Sequence, residues 1–183
     1  MHIEETLRSY DGKRVAPFRA VADAVRRAPE SAVPQLLALA ASDEAALQVG
    51  ATWVVKYLAE RGDAPRGNAA TRVIDLLERP GEPDAILHLL QTLPHMEIPA
   101  DRREALGRAL KRLIRSRRAF IRAWAYNGLA VLAAIDPALR LEVRRLFDAA
   151  EATESASVGA RIRHARVALG PGGGEESHAR PAP

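Results

Sequence analysis

Hydrophobic positions recur at three- and four-residue spacing almost without interruption from residue 14 to residue 169, and the apolar–polar alternation of a half-buried strand is missing. The pattern predicts an all-α chain. Its breaks carry helix-start signals: Ser42 precedes Asp43 and Glu44, Glu82 precedes Pro83, Asp101 stands three residues before Glu104 as a capping-box pair, and Asp136 precedes Pro137. Between these points helices are predicted over 14–28, 31–41, 43–61, 67–79, 83–93, 101–115, 118–134, 137–151 and 156–169. Their lengths and short links suit antiparallel neighbours. Residues 1–13 form a lead, and 170–183, rich in Gly and Pro with no apolar side chain larger than Ala, are expected to be a disordered tail.

Taken in pairs, the helices begin near Ser31, Gly67, Asp101 and Pro137, a spacing of 36, 34 and 36 residues. At an offset of 71, the stretch from Gln48 through Leu58 superposes on that from Ala119 through Leu129, setting Trp53 on Trp124 and Leu58 on Leu129. Ala125 and Leu129 fall on Ala165 and Leu169 at an offset of 40. Repeated helical hairpins of this period predict an α-solenoid, in which stacking of neighbouring units supplies the core that no unit has alone. In such a stack Phe120, Trp124 and Leu129 are expected to face the core.

The stretch Phe120-Ile-Arg-Ala-Trp-Ala-Tyr-Asn-Gly-Leu-Ala, then a Pro-initiated helix, then Ser155-Ala-Ser-Val-Gly-Ala-Arg-Ile-Arg-His-Ala, resembles HEAT-type repeats over about residues 31–169. The family has small residues and an early Arg or Lys in an apolar second helix. Arg122 matches, and Arg161 or Arg163 stands where a second match would lie. The unit around Ala85 to Leu93 departs from the pattern: it has no basic residue, and Pro94 should end its helix early. The resemblance implies a right-handed α-solenoid of about four HEAT-like hairpins, with helix 14–28 as an N-terminal cap. Alkylpurine DNA glycosylases of similar shape place an Asp one turn after a Trp. Tyr57 and Gly128 occupy those positions here, so glycosylase chemistry does not carry over.

Composition narrows the chemistry. The 183 residues hold no Cys, which removes disulfides, thiolate nucleophiles and every Cys-containing metal site. The five His are scattered, no Gly-rich phosphate loop with a following Lys-Ser or Lys-Thr appears, and neither a Gly-x-Ser-x-Gly elbow nor a His-Glu-x-x-His helix is present. No catalytic residue, cofactor or metal site is expected. The lead contains no run of signal-peptide length and the longest apolar stretch, residues 123–135, is too short to span a bilayer, so a cytoplasmic protein without membrane association is the expectation.

Formal charge is −3 over residues 1–100, +7 over 101–122 and zero over 123–183. Within the basic segment Arg108, Lys111, Arg112 and Arg115 repeat opposite Leu106, Leu110 and Leu113, and Arg117 and Arg118 extend the stripe. It is either a solvated face or a surface for an anionic partner. A second set, on the second helices, comprises Gln48, Thr52 and Lys56, then His88 with Gln91 or Thr92, then Arg122 with Tyr126, then Arg163 with Arg166. This ladder either joins neighbouring units by hydrogen bonds or lines a binding strip. Arg122 poses the same alternatives singly: it pairs with a carboxylate or carbonyls of an adjacent unit, or it stands free beside Tyr126 and Lys56. The function expected is a non-enzymatic scaffold or interaction module that holds a protein or peptide on its concave face. The alternative is a nucleic-acid binder of the glycosylase-like shape.

Overall fold

The computed structural model of the chain describes residues 2–170, and the expected tail from residue 171 onward lies outside them. Among the described residues there is no strand. Ten α-helices follow one another: α1 Ile3–Arg8, α2 Ala16–Val25, α3 Pro29–Ala40, α4 Ala45–Ala59, α5 Asn68–Glu78, α6 Pro83–Thr92, α7 Arg103–Leu113, α8 Ala119–Ile135, α9 Arg140–Glu151 and α10 Ala156–Val167. Local chemistry explains many boundaries. Pro29 and Pro83 open α3 and α6 at positions where the missing N–H costs nothing. The Asp136 carboxylate accepts a hydrogen bond from the Ala138 N–H and starts a 3₁₀ turn that leads into α9. Gly62, at φ +96°, adopts the left-handed conformation past the end of α4, where the Asp63 N–H bonds back to the Leu58 carbonyl. As the sequence predicts, α6 stops at Thr92 and gives way to a 3₁₀ turn containing Pro94.

The helices sort into two layers. The first helices of successive pairs adjoin in the series α3, α5, α7, while the second helices adjoin in the series α4, α6, α8, α10, and each pair also packs on itself. The layers differ in composition for that reason. A first helix buries one stripe, as α5 does with Ala70, Val73, Ile74 and Leu77, and leaves Arg72 and Glu78 in water. A second helix meets neighbours on several sides, and α8 accordingly buries nine of its residues, from Ile121 to Ala133.

One element is added and two expectations are corrected. The lead, for which the sequence predicts no element, holds α1, which packs on α2 and α4 and fully buries Leu7. The Asp101–Glu104 capping box does not form, since α7 is entered through a 3₁₀ turn at Ala100–Arg102 with no side-chain cap. The offset of 71 is not the structural register. The residues that cap α4 and α8, Glu44 and Arg118, are 74 positions apart. Trp53 is therefore the ninth residue after its cap and Trp124 the sixth, nearly one helical turn apart along equivalent helices.

The close approach of the N-terminal helices depends on Gly50. A Cβ there would lie 2.7 Å from Phe18 Cε1 and 2.9 Å from Leu7 Cδ2. Gly107, in α7, is the contrasting case, because its Cβ would meet only Leu132 Cδ2 at an ordinary 3.5 Å. Gly50→Ala should destabilise the protein by about 1–3 kcal/mol, since overpacking against a buried ring outweighs the gain of roughly 1 kcal/mol in helix propensity. Gly107→Ala should stabilise it by about 0.5–1 kcal/mol. Urea denaturation of the two variants checks both signs, and stabilisation by Gly50→Ala would remove the packing argument.

Candidate functional site

Between α6, α8 and α10 the second-helix layer opens into a groove of about 390 Å³. Leu87 and Gln91 line it from α6, Phe120, Ala123 and Trp124 from α8, and Ser157 and Arg161 from α10. Phe120 is 70% exposed, which corrects the expectation that it faces the core. The cause is its place in the helix: as the second residue after the cap it precedes Ala123 and Trp124 on the groove side, whereas Ile121 and Ala125 turn inward. Trp124 is partly buried and packs across the seam between helices, with the Arg161 guanidinium 4.2 Å from its ring centroid. Trp53, likewise partly buried, belongs instead to an aromatic cluster, 5.8 Å from Phe18 and stacked 5.0 Å from Tyr57. Another cavity, of about 330 Å³, lies between the start of α3 and the α4–α5 loop, where Pro29, Pro34 and Pro65 contribute to its walls without an exposed aromatic.

The polar ladder is largely committed to internal bonds. Gln48 donates from Nε2 to the Ser42 carbonyl at 2.9 Å, while its Oε1 accepts the Glu82 N–H at 2.9 Å, tying the α3–α4 turn to the start of α6. Arg122 does the equivalent work one double unit later. It donates to the Ser116 carbonyl at 2.9 Å and makes a two-pronged bond to Glu154, 2.8 Å at each oxygen, just before α10. Ser42 and Ser116 are also 74 positions apart, so both staples obey the register of the helix caps. The Glu154 hydrogen bond holds the guanidinium above its ordinary pKa. Arg122 thus has both kinds of structural partner that the sequence allowed, a carboxylate and carbonyls.

The other members follow the same rule to different degrees. Thr52 is buried and donates to the Gln48 carbonyl at 2.7 Å, so its oxygen is left to accept from His88 Nδ1 at 3.2 Å. Thr92 is buried and donates to the His88 carbonyl. Lys56 pairs with Glu60 at 3.3 Å and lies over Trp53. Tyr126 is buried edge-on against Phe147, and burial pushes its hydroxyl above the usual tyrosine pKa. Arg166 pairs with Asp148 and Glu151 and covers Phe147. Arg163 is exposed, with no ion pair among the described residues.

The basic stripe divides in two. Arg108 pairs with Glu104 and reaches Glu78 of α5, Lys111 pairs with Glu142 of α9, and Arg112, although exposed, donates to the Leu77 carbonyl at 2.6 Å. These three bridge first helices and are not simply a solvated face. Arg115, Arg117 and Arg118, in the α7–α8 turn, are exposed and make no ion pair among the described residues. Among the described residues no group of three or more His, Asp or Glu gathers to hold a metal ion, and no helix is long and apolar enough to cross a membrane. Sequence periodicity locates α8 and α10 but not their contributors to the groove: it sets Phe120 and Trp124 in the core and points to Arg163 and Arg166 rather than Arg161, because exposure at one position depends on the packing angle of three helices. Set against family models, curated proteins and solved structures, the chain finds no match in any of the three.

Arg122→Ala should cost about 2–4 kcal/mol in chemical denaturation, because Glu154 and the Ser116 and Arg117 carbonyls lose a shared donor in a partly desolvated seam. Arg115→Ala is the exposed control and should stay within about 0.5 kcal/mol of the parent. Equal small losses would mean that the staple contributes nothing to stability.

His88 gives a pH prediction. Burial, with a smaller contribution from Lys56, lowers its pKa from 6.5 to about 4. The unfolded chain therefore takes up this proton before the folded one does, so the stability due to neutral His88 is complete above pH 6.5 and falls as pH drops toward 4. The loss should approach about 3 kcal/mol at most. His88→Gln should flatten this part of the stability profile relative to the parent, and parallel profiles would contradict it.

Proposed function

We propose that this chain is a non-enzymatic interaction module, a right-handed HEAT-like α-solenoid that docks a protein or peptide on the face presented by its second helices. The observation that carries the reading is Phe120, 70% exposed beside Trp124 in a groove built by three successive second helices. A large aromatic left in water at a groove wall is the kind of side chain that supplies binding energy when a partner covers it. The ladder residues support the same reading indirectly. Their internal bonds hold the helices in register and leave the groove, rather than the ladder, as the strip available to a partner. The absence of a nucleophile, base and orienting group set in the sequence favours binding over turnover.

Nucleic-acid binding remains a second reading on one observation, the three exposed cations Arg115, Arg117 and Arg118 in the α7–α8 turn. Affinity capture with the full chain, with and without nuclease, separates the two. For the interaction module, Phe120→Ser should weaken recovery of a protein partner by about tenfold at unchanged melting temperature, while the triple Ser variant at 115, 117 and 118 recovers it normally. Nuclease-sensitive capture that fails in the triple variant and persists in Phe120→Ser would replace this reading with the nucleic-acid one.

A further inference from the structure

We infer that the groove between α6, α8 and α10 recognises an acidic peptide segment in which a carboxylate lies close to a bulky apolar side chain. This rests on the peptide-docking reading above and adds the chemistry of the partner. The apolar part follows from the walls. Leu87, Ala123, Trp124 and Phe120 offer hydrocarbon and aromatic surface, and a volume of about 390 Å³ falls at the lower end of the range in which clefts take ligands. The lining contains no carboxylate among the described residues, and its one charged group is Arg161.

The acidic part follows from which cations are matched. On the same two helices, the arginines that face the seams are neutralised: Arg122 by Glu154, Arg166 by Asp148 and Glu151. Arg161, at the groove, has no ion pair and donates no hydrogen bond to another described residue. Its contact is the Trp124 ring, which fixes the position of the guanidinium while leaving N–H groups free for a two-pronged carboxylate. Arg117 and Arg118, three and two residues before Phe120 and likewise without ion pairs among the described residues, add positive potential at the same end of the groove. Asp84, exposed one turn before Leu87, disfavours an acid near α6. The partner's carboxylate therefore goes to the α10 side, and its apolar side chain lies between Leu87 and Phe120.

The test uses fluorescence anisotropy of the full chain with labelled probes of equal length: a Gly-Ser peptide carrying Glu-Leu-Phe-Asp at its centre, the same peptide with Lys for both acids, the same with Ala for Leu and Phe, and an oligothymidine. The acidic–apolar peptide should bind about tenfold tighter than either altered peptide. Phe120→Ala should weaken it about tenfold, and Arg161→Glu should reverse the preference between the acidic and lysine peptides. Arg161→Gln, which keeps a polar side chain over Trp124, should weaken the acidic peptide alone should the charge reversal disturb the fold. Equal binding of the acidic and lysine peptides, both lost in Phe120→Ala, would overturn the acidic partner and leave peptide docking standing. Peptide binding that is absent, or indifferent to Phe120→Ala, would overturn both. Oligothymidine binding that depends on Phe120 would do so in favour of a nucleic acid.

Discussion

Everything in this molecule depends on the stacking of second helices on one another. Helices α4, α6 and α8 are apolar over too much of their circumference for a single partner to cover, so each meets a preceding helix, a following second helix and its own first helix, while α10, which buries only Val158, Gly159, Ile162 and Ala165, ends the series against α8 and α9. The hydrophobic contribution is non-directional and would tolerate sliding along the helix axes. Something else must set the axial register.

Directional bonds do so. Gln48 and Arg122 stand at equivalent positions after their caps, and each reaches back to the serine carbonyl of its own turn and forward to the beginning of the next second helix. One uses an amide and takes a backbone N–H, the other a guanidinium and takes a carboxylate. A one-turn slip between neighbouring helices would leave these groups unpaired in a partly desolvated seam, which costs more than the bonds themselves contribute. Between first helices the same role falls to Arg112, whose guanidinium meets the Leu77 carbonyl, and to the Lys111–Glu142 pair. The polar residues of the ladder, apart from Arg163 and the groove-lining Gln91, and half of the stripe are accordingly part of the packing, and their polarity is no guide to where a partner sits.

That division explains what the sequence made legible. All nine predicted helices exist close to their predicted spans, because each is long enough for its apolar period to be unambiguous and most begin at a Pro or polar break. Helix α1 escaped notice because six residues with a single buried position, Leu7, present no period. The register was misread by three residues for a different reason. Matching Trp53 to Trp124 follows the rarest side chain, whereas the structure aligns the caps Glu44 and Arg118 and the staples Gln48 and Arg122. Internal bonding at Arg122 was one of the alternatives readable from an arginine within an apolar helix. Exposure of Phe120 was not, since helical spacing alone cannot tell a groove wall from a seam.

The two tryptophans show how the same side chain comes to serve different ends. The face of α4 near Trp53 is covered by the N-terminal helices: Phe18 and Leu7 pack against the bare backbone of Gly50, and Tyr10 lies 4.4 Å from Phe18 to complete the cluster. No comparable cover lies over the start of α8 among the described residues, so Phe120 stays in water and Trp124, packed on the core by its inner side, is met on its ring face by Arg161. Arg161 and Trp124 satisfy one another incompletely, because an aromatic face offsets part of a guanidinium's charge without accepting hydrogen bonds from its N–H edge. At the α4 end the fold has completed its own aromatic packing, whereas at the α8 end it has assembled apolar walls and an oriented cation and supplied no anion to meet them. A surface that the fold covers with its own side chains at one unit is thereby left uncovered two units along.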